Sequence, residues 1–293
     1  MEYIIENEYL KVTVTTKGAQ VKSVIRKCDG VEHMWQADPT VWAWHAPVLF
    51  PHCGKVVVDG IIEAKGQSLP SASHGFTRTS EHQFVEQSAD TIVLELCASP
   101  ETLASFPYEF RLVSTFTLEG DTLHHTLTVE NLDEEKMGFG IGFHPGFAVP
   151  FDDKHVATDY ELRFSESESP ICLNCLPTGL VQKDHYYLGS NLTTLPLDEQ
   201  LFANDSHCMS NLRSATLGVY EKGTGRGVVC DIREFPYVLI WSKPGMPKFV
   251  AIEPWQSLPS CEGGSRKWDE KAHAAILDPG EAWSTTLSTS FVR

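Results

Sequence analysis

Alternation of apolar and polar residues is the feature that most constrains the fold of this chain. Many segments follow it and are rich in β-branched side chains, among them EYLKVTVTT, DTIVLELCA, EFRLVSTFTLEG, DTLHHTLTVEN and WSTTLSTSFV. A period of two is the pattern of a β-strand with one buried face. Turn residues separate the segments, as in LEGD, ENLD and DPGE. The pattern therefore predicts many antiparallel strands joined by turns.

Helical periodicity is almost absent. One segment, SPETLASF, predicts a single helical turn with Ser99 as its cap and Glu101 in its first turn. Residues 165–207 lack a clean alternation, and we expect loops and short strands laid over a sheet there. No linker-like tract, low-complexity segment, charge block or repeat divides the chain. Residues 1–293 are therefore predicted to form one all-β domain of two large packed sheets rather than a small barrel.

The charge of the chain limits its partners. It has 39 acidic and 23 basic residues, a formal net charge of −16 at pH 7. Such a surface repels phosphate backbones and anionic lipid headgroups, so we expect neither nucleic acid nor a membrane as partner, whereas a neutral small molecule stays possible. The N-terminal segment MEYIIENEYLKVTV has no apolar signal-peptide core, and no long apolar run occurs. We therefore expect a cytoplasmic location.

The eight cysteines are scattered along the chain. We interpret them as reduced and mostly buried residues of apolar character. Cys172 and Cys175 form a C-x-x-C pair without a second pair at zinc-finger spacing, so no metal is expected there. His124 and His125 are adjacent on a predicted strand and point to opposite faces, so they cannot share a metal either.

His144 is the first candidate for chemistry. It stands in GFGIGFHPGFAVPF, residues 138–151, among aromatic residues and glycines. A core histidine bonded to a carbonyl is the ordinary interpretation. Glycine in a strand, however, often marks the close approach of a ligand, and we expect these glycines to let a ligand come near. A histidine between aromatic walls also suits a proton donor near neutral pH.

Glu253 is the second candidate. In KFVAIEPWQSLPS, residues 248–260, it ends an apolar run and precedes Pro254 and Trp255. Apolar neighbours raise the pKa of a carboxyl group and make its anion a better base. The alternative is an exposed glutamate at the end of a strand, which is common in proteins.

Further polar residues stand beside turn signals. Lys55 and His74 each adjoin a glycine, and Asp205 follows an apolar pair in LFANDS, where an Asx-turn is the alternative. Tryptophans crowd the same segments, and their flat faces suit sugar rings, with core packing as the alternative. These tryptophans are Trp35, Trp42, Trp44, Trp241 and Trp255.

An ordered set of motifs resembles a known family. LFPHCGKV, SHGFTR, GFGIGFHPGF, LFANDS, KFVAIEPWQSLPS and LDPGEAW occur in this order, and together they resemble the aldose 1-epimerase (galactose mutarotase) superfamily, near the branch of LacX-type proteins. The resemblance spans nearly the whole chain, and its most specific parts are the histidine of GFHPGF and the glutamate of IEPW. It implies a large antiparallel β-supersandwich with the sugar in a cleft. It also implies cofactor-independent interconversion of the α and β anomers of a free hexose such as galactose or glucose.

The resemblance also implies roles for individual residues. Glu253 corresponds to the general base that takes the proton of the anomeric hydroxyl. His144 corresponds to the general acid that protonates the ring oxygen, and we expect the two groups to face each other across the sugar. His74 corresponds to a histidine near the ring oxygen, and Asp205 to an aspartate that holds sugar hydroxyls. Each proton-transfer group typically contributes about 10²–10⁴-fold to a rate.

Lys55 departs from the family pattern, because many members carry arginine there and a planar two-pronged donor has become a point charge. Arg78 and Trp255 are further expected substrate contacts. Two other functions stay open. A hexose-6-phosphate 1-epimerase needs a basic cluster, for which Lys55 and Arg78 are candidates; a sugar-binding or sensing protein without turnover is the other. No metal or cofactor is expected, and the chain is expected to be a monomer or homodimer.

Overall fold

Two large antiparallel sheets dominate the computed structural model, which describes residues 1–293. The chain contains 25 strands, one α-helical turn and three short 3-10 helices. The strands are β1 (Glu2–Glu6), β2 (Leu10–Thr15), β3 (Gln20–Arg26), β4 (Val31–Glu32), β5 (Val48–Leu49), β6 (Ile61–Ala64), β7 (Gln67–Pro70), β8 (Gln83–Gln87), β9 (Thr91–Cys97), β10 (Phe110–Glu119), β11 (Thr122–Asn131), β12 (Met137–Phe139), β13 (Gly142–Phe143), β14 (Gly146–Ala148), β15 (Tyr160–Glu168), β16 (Ile171–Leu173), β17 (His185–Tyr187), β18 (Leu192–Pro196), β19 (His207–Ser210), β20 (Thr216–Glu221), β21 (Gly227–Asp231), β22 (Tyr237–Trp241), β23 (Phe249–Trp255), β24 (Ala275–Leu277) and β25 (Ala282–Val292). The helical segments are α1 (Pro100–Leu103) and the 3-10 turns Thr77–Thr79, Ala157–Asp159 and Trp268–Glu270.

The strands assemble into two main sheets and three small ones. The nine-stranded sheet has the order β18-β15-β20-β21-β25-β11-β10-β9-β8. The eight-stranded sheet has the order β17-β16-β19-β22-β23-β13-β5, and β14 pairs with β23 beside β13. A four-stranded sheet (β1–β4) and the pairs β12-β24 and β6-β7 complete the structure. The predicted all-β architecture with two large sheets is confirmed.

The alternating sequence pattern becomes a two-faced sheet. Along β10 and β11 every second residue is buried, and the two strands pair over their whole length. His125 is buried against Phe116, whereas His124 is partly exposed and lies 2.9 Å from the hydroxyl of Ser288. The two histidines thus point to opposite faces, as their adjacency predicts.

The helical prediction is confirmed and one loop prediction is wrong. Ser99 caps α1, where its side chain accepts a hydrogen bond from the backbone N–H of Thr102, and Glu101 lies in the first turn. Residues 165–207, however, do not lie over a sheet. Their strands β16 and β17 end the eight-stranded sheet, and β18 ends the nine-stranded sheet beyond β15. Edge strands are partly exposed on both faces, as β17 and β18 are, so the burial that imposes alternation is missing.

The main core lies between the large sheets and gathers 58 buried residues from Ile5 to Phe291. Val250 and Ile252 of β23 belong to it. Alternate residues of the same strand, Phe249, Ala251 and Trp255, belong to two small apolar clusters outside that core. All seven residues of β23 are consequently buried. None of the helices has the length and apolar character that a membrane span requires.

Candidate active site

Register between neighbouring strands brings His144 opposite Glu253. Gly142 of β13 pairs with Trp255, and Gly146 of β14 pairs with Ala251. His144 lies midway between these glycines, and Glu253 lies midway between their partners. Glu253 does not end its strand, as the sequence had led us to expect, because β23 continues through Pro254 to Trp255. The exposed strand-end alternative is therefore wrong, and the carboxyl group is buried on a central strand.

The two side chains touch. Nε2 of His144 lies 3.2 Å from Oε2 of Glu253, and the side chains are only 11% and 3% exposed. This distance leaves no room for a sugar ring between them, so the expectation that they face each other across the sugar is wrong. The reason is geometric. The anomeric oxygen and the ring oxygen are both bonded to C1 and lie only about 2.3 Å apart, so groups that serve both oxygens must be neighbours.

Burial shifts both groups toward their neutral forms. Desolvation, with a smaller contribution from the negative charge of Asp205, raises the pKa of Glu253 well above its ordinary value. Desolvation, reinforced by His74, lowers the pKa of His144 well below its ordinary value. The pair therefore favours a state of one proton and no net charge, and the proton belongs to the pair rather than to either residue.

Aromatic rings enclose the imidazole of His144. Trp42 stacks on it with ring centroids 4.9 Å apart and an interplanar angle of 24°. Trp42 is also stacked on Phe249, at 5.0 Å and 16°. Trp241 meets His144 edge to face at 5.7 Å. These three aromatic side chains hold the imidazole in place and exclude water from one side of it.

The glycines of the GFGIGFHPGF segment have a different purpose from the one expected. A Cβ at Gly142 would lie 2.7 Å from Cδ1 of Trp255, and one at Gly146 would lie 2.6 Å from Cζ3 of Trp42. A Cβ at Gly140 would lie 2.2 Å from Oγ of Ser257. These glycines make room for the protein's own side chains, which form the walls of the site. The expectation that they open space for a ligand is wrong, because that space is already filled.

His74 joins the site from a turn after β7. Its Nδ1 accepts a hydrogen bond of 3.1 Å from the backbone N–H of Gly54. A backbone N–H can only donate, so Nδ1 carries no proton, and the neutral ring has its proton on Nε2. Burial lowers the pKa of His74 to about 3, with a contribution from Arg78. Its ring lies 5.9 Å from that of His144 and 5.7 Å from that of Trp255.

Asp205 and Trp241 are joined by a hydrogen bond. The indole Nε1–H of Trp241 donates to Oδ1 of Asp205 over 2.6 Å. Asp205 has a positive φ of 71°, a conformation that aspartate tolerates in turns. Because Trp241 occupies Oδ1, the other carboxylate oxygen is the one left for a ligand. Trp241 thereby connects Asp205 to the imidazole of His144, which it contacts edge to face.

A cavity of about 580 Å³ is lined by His74, whose ring lies near that of His144, and by Leu239, which pairs with Glu253; the two residues of the pair do not themselves line it. His74, Lys55, Asp205 and Trp255 all line it, as the sequence predicted for ligand contacts. Arg78 is not among the lining residues: it lies over the ring of Trp44 and donates to the carbonyl of Ser73. Four of the seven predicted site residues thus line the cavity, His144 and Glu253 adjoin residues that line it, and Arg78 is close enough for its charge to lower the pKa of both His74 and His144. Cavities of this size are typical of small-molecule sites.

Several lining residues escaped the sequence analysis. Leu239 pairs with Glu253, Cys208 with Leu239, and Leu173 with Cys208, which forms one row across four strands. Leu176 and Tyr186 lie on the same cavity. Nothing in their local sequence distinguishes them, because the row exists only once β16, β19, β22 and β23 are placed side by side.

One cluster of side chains has the composition of a metal site. Asp152, His155 and Glu221 bring ligand atoms together. Arg226, however, donates hydrogen bonds to both carboxylates, so this cluster is an ion-pair network. The thiols of Cys172 and Cys175 are free.

Comparison with known proteins shows the family of this chain. The family model described as aldose 1-epimerase matches residues 1–290. The chain belongs to the aldose 1-epimerase family. Within that family it is 35% identical, in an alignment 282 residues long, to the LacX proteins, plasmid and chromosomal, of Lactococcus lactis subsp. lactis, and the match covers 93% of this chain and 94% of theirs. The resemblance to the LacX-type branch is thereby confirmed.

Solved structures of similar proteins share the whole fold. A galactose mutarotase related enzyme from Lactobacillus acidophilus has a TM-score of 0.94 and 27% identity, covering 100% of this chain and 98% of that one. A galactose mutarotase-like protein from Lactobacillus casei has a TM-score of 0.89 and 28% identity, covering 99% of both chains. The predicted galactose mutarotase-like supersandwich is therefore confirmed.

Proposed function

We propose that this protein is a mutarotase that interconverts the α and β anomers of an unphosphorylated hexose such as galactose or glucose. One observation carries the proposal: a buried imidazole and a buried carboxyl group touch at 3.2 Å next to His74 and Leu239, which line a cavity of about 580 Å³. Membership of the aldose 1-epimerase family supports the same reaction class.

The reaction needs one proton to move in each direction. With the sugar bound, the Glu253 carboxylate accepts the proton of the C1 hydroxyl, while Nε2–H of His144 donates to the ring oxygen. The bond between C1 and the ring oxygen breaks, and C1 becomes an aldehyde carbon. Rotation about C1–C2 presents the other face of the aldehyde. The freed hydroxyl then attacks C1, returns its proton to His144, and Glu253 protonates the new anomeric oxygen.

The proton count of the pair stays constant through this cycle. Two states of the pair hold the same single proton. In the first state Glu253 is a carboxylate and His144 an imidazolium, and in the second state Glu253 is a carboxylic acid and His144 a neutral imidazole. Burial favours the second state. The face of Trp42 stacked on His144 favours the first, because an aromatic face attracts a cation, by about 0.5–2 kcal/mol. The two states are thereby brought closer in free energy, which suits a group that must both give and receive a proton.

The charges of the cavity support a sugar without phosphate. Lys55 is the one lysine or arginine that lines it, and the carboxylate of Asp205 offsets its charge. Burial lowers the pKa of His74 to about 3 and also lowers the pKa of His207, so both rings are neutral at pH 7. A phosphate dianion would therefore find no net positive charge, whereas neutral hydroxyls would find both donors and acceptors.

Polarimetry on freshly dissolved α-galactose and α-glucose tests the proposal. The wild-type protein is expected to accelerate mutarotation of at least one sugar over buffer. Glu253→Gln removes the base at nearly constant volume and should lower kcat by about 10²–10⁴-fold. Glu262→Gln, at an exposed position, is the matched control and should leave the rate unchanged.

Two outcomes would favour the other functions. Faster anomerisation of glucose 6-phosphate than of glucose would point to a hexose-6-phosphate epimerase and would contradict the charge argument. Sugar binding seen by calorimetry, without acceleration of any sugar by the wild-type protein, would identify a binding or sensing protein.

A further inference from the structure

A second, smaller cavity of about 30 Å³ lies within the main core, against His144. Every residue that lines it is buried, among them His125 of β11 and Thr289 of β25. The cavity reaches His144 because the sheet is interrupted there: β13 ends at Phe143, β14 begins at Gly146, and no residue between them pairs with β23. A water molecule needs about 10–15 Å³ of such space, so one fits.

Two buried ring nitrogens at this cavity have no hydrogen-bond partner, Nδ1 of His144 and Nε2 of His125. Phe116 stacks on His125 with ring centroids 4.1 Å apart and fixes its orientation. Phe143, which precedes His144, meets the ring of His125 edge to face at 5.1 Å. The hydroxyl of Thr289 is a third polar group on the cavity. Buried waters typically bond to two to four such groups, which would otherwise be buried unpaired at a cost in free energy.

Nδ1 of His144 carries a hydrogen whenever the pair with Glu253 holds its single proton. In the imidazolium form both ring nitrogens are protonated. In the other form the carboxylic acid of Glu253 donates to Nε2 across 3.2 Å, so the proton of the neutral ring must be on Nδ1. The hydrogen on Nδ1 therefore needs an acceptor throughout the proposed reaction. Burial lowers the pKa of His125 to about 3, so at pH 7 its ring is neutral and offers one nitrogen as an acceptor.

We propose that His125 is a positioning residue for the reacting pair: through one water molecule in this cavity, its Nε2 accepts the hydrogen bond that Nδ1–H of His144 donates. The water accepts from His144 and donates to His125, with the hydroxyl of Thr289 as its third neighbour. The link keeps Nε2 of His144 turned toward Glu253 and the sugar. It also stabilises the imidazolium form, since hydrogen bonds to charged groups are the stronger ones. The inference rests on the proposed mutarotase function.

The other groups that influence the two rings are unchanged by a substitution of His125. The titratable or charged side chains that act on His144 are Glu253, His74 and Arg78. His82 acts on His125. The backbone of His144 also favours its own charged ring, but it does not meet the geometry of a hydrogen bond to Nδ1. A change in the protonation of His144 in a variant of His125 therefore reports the link.

Two side chains of nearly the same shape test the link. His125→Met removes the acceptor, whereas His125→Gln keeps an oxygen close to the position of Nε2. In polarimetry, His125→Met should lower kcat about tenfold and leave KM unchanged, because His125 does not line the sugar cavity. His125→Gln should keep kcat within about threefold of the wild-type value. Leu123→Met, which lines the small cavity and changes no polar group, is the control and should change neither constant.

The acid limb of the pH profile gives a readout that a merely structural role would not move. Without the acceptor the imidazolium is less stable, so the acid limb of kcat/KM in His125→Met should move to lower pH by about one unit, which corresponds to the tenfold loss. An unchanged kcat and acid limb in His125→Met would overturn the proposal. Equal losses in His125→Met and His125→Gln would overturn it too, because the acceptor would then not matter.

This proposal and the mutarotase function can fail separately. Failure of the wild-type protein to accelerate any sugar would overturn the mutarotase function. A high-resolution crystal structure would then still test the link. Density for a water within about 3.2 Å of both Nδ1 of His144 and Nε2 of His125, lost in His125→Met, would support it. A wild-type structure without such density would refute it.

Discussion

His144 and Glu253 are in direct contact, with 3.2 Å between Nε2 and Oε2, in a place where both side chains are almost entirely buried. Two groups at this distance titrate as a unit. In the proposed reaction, the state that exchanges a proton with a sugar holds one proton between them. A second proton or the loss of the first makes the pair inactive.

We therefore expect a bell-shaped dependence of kcat/KM on pH. The acid limb reports the uptake of a second proton by the imidazole, whose pKa is lowered by burial below its ordinary 6.5. The alkaline limb reports the loss of the shared proton, at a carboxyl pKa raised by burial above its ordinary 4.5. Both shifts widen the pH range in which the pair holds one proton. Polarimetry at each pH, with the buffer rate subtracted, measures the profile, and an acid limb above pH 6.5 or an alkaline limb below pH 4.5 would contradict it.

Asp205 should influence the alkaline limb. Its negative charge is the second cause, after burial, that raises the pKa of Glu253. Asp205→Asn removes that charge, so the carboxyl group should lose its proton more easily and the alkaline limb should move to lower pH. Because Asp205 is exposed and screened by water, we expect a shift of roughly a few tenths of a pH unit. Asp198→Asn, which lies outside the cavity, is the control; a shift to higher pH in Asp205→Asn would refute the argument.

Trp241→Phe should separate binding from chemistry. The phenyl ring preserves the edge packing on His144 but cannot donate the hydrogen bond that Asp205 accepts. A hydrogen bond worth about 1 kcal/mol corresponds to about a fivefold change in affinity. We expect the KM for galactose to rise by that factor with kcat nearly unchanged. Steady-state kinetics measure both constants, and a loss confined to kcat would show that the indole N–H acts on the chemistry instead.

Gly142→Ala should damage the wall of the site. The new Cβ would lie 2.7 Å from Cδ1 of Trp255 and 2.9 Å from Sγ of Cys53, both buried. Overpacking of this kind costs about 1–3 kcal/mol, and the displaced Trp255 should also raise the KM for sugar. Denaturant unfolding and kinetics measure the two effects.

Gly189→Ala is the matched control for that substitution. The nearest atoms to its Cβ would be Cδ1, Cδ2 and Cγ of Leu192, a partly exposed side chain that can turn away. We expect a change in unfolding free energy within about 0.5 kcal/mol. Similar losses in both variants would mean that the contact with Trp255 is not what demands glycine at position 142.

Arg226 should be important for stability away from the site. It donates to Asp152 and to Glu221, whose side chain is 5% exposed. Arg226→Met leaves a buried carboxylate without its cation, at a cost of about 3–5 kcal/mol in unfolding free energy. Arg233→Met breaks an exposed pair with Asp231 and should cost at most about 1 kcal/mol. Denaturant unfolding of both variants tests the contrast, and equal losses would contradict it.

The same network sets a direction for the dependence of stability on pH. Hydrogen bonds from Arg226 are the main cause that lowers the pKa of Asp152. Burial is the largest influence at Glu221 and raises its pKa, but the hydrogen bonds from Arg226, Thr224 and Tyr160 and the charge of Arg226 together outweigh it and lower that pKa too. Groups with lowered pKa values stabilise the fold fully above their ordinary values, here 3.8 and 4.5, and this contribution is lost as pH falls toward the folded values. Arg226→Met should therefore flatten the loss of stability between about pH 5 and pH 3.

The sequence by itself determined the fold class and singled out the two ionisable residues of the candidate site. Alternation along segments such as β10 and β11 requires one buried and one solvated face, which local residue order records directly. His144 and Glu253 stood out because each is an ionisable group in an apolar segment. Residues 165–207 were harder to interpret, since edge strands lack the burial that creates the pattern.

Only the tertiary structure decided how these residues are arranged. Which strands pair, and in which register, decides that His144 touches Glu253. The same pairing decides that Trp42 and Trp255 fill the space above the glycines and that Leu173 and Leu239 line one cavity. Register is set by the packing of whole sheets against a shared core, so distant segments determine it together. A local stretch of sequence shows which face of a strand a side chain occupies, but not which side chain of another strand lies beside it.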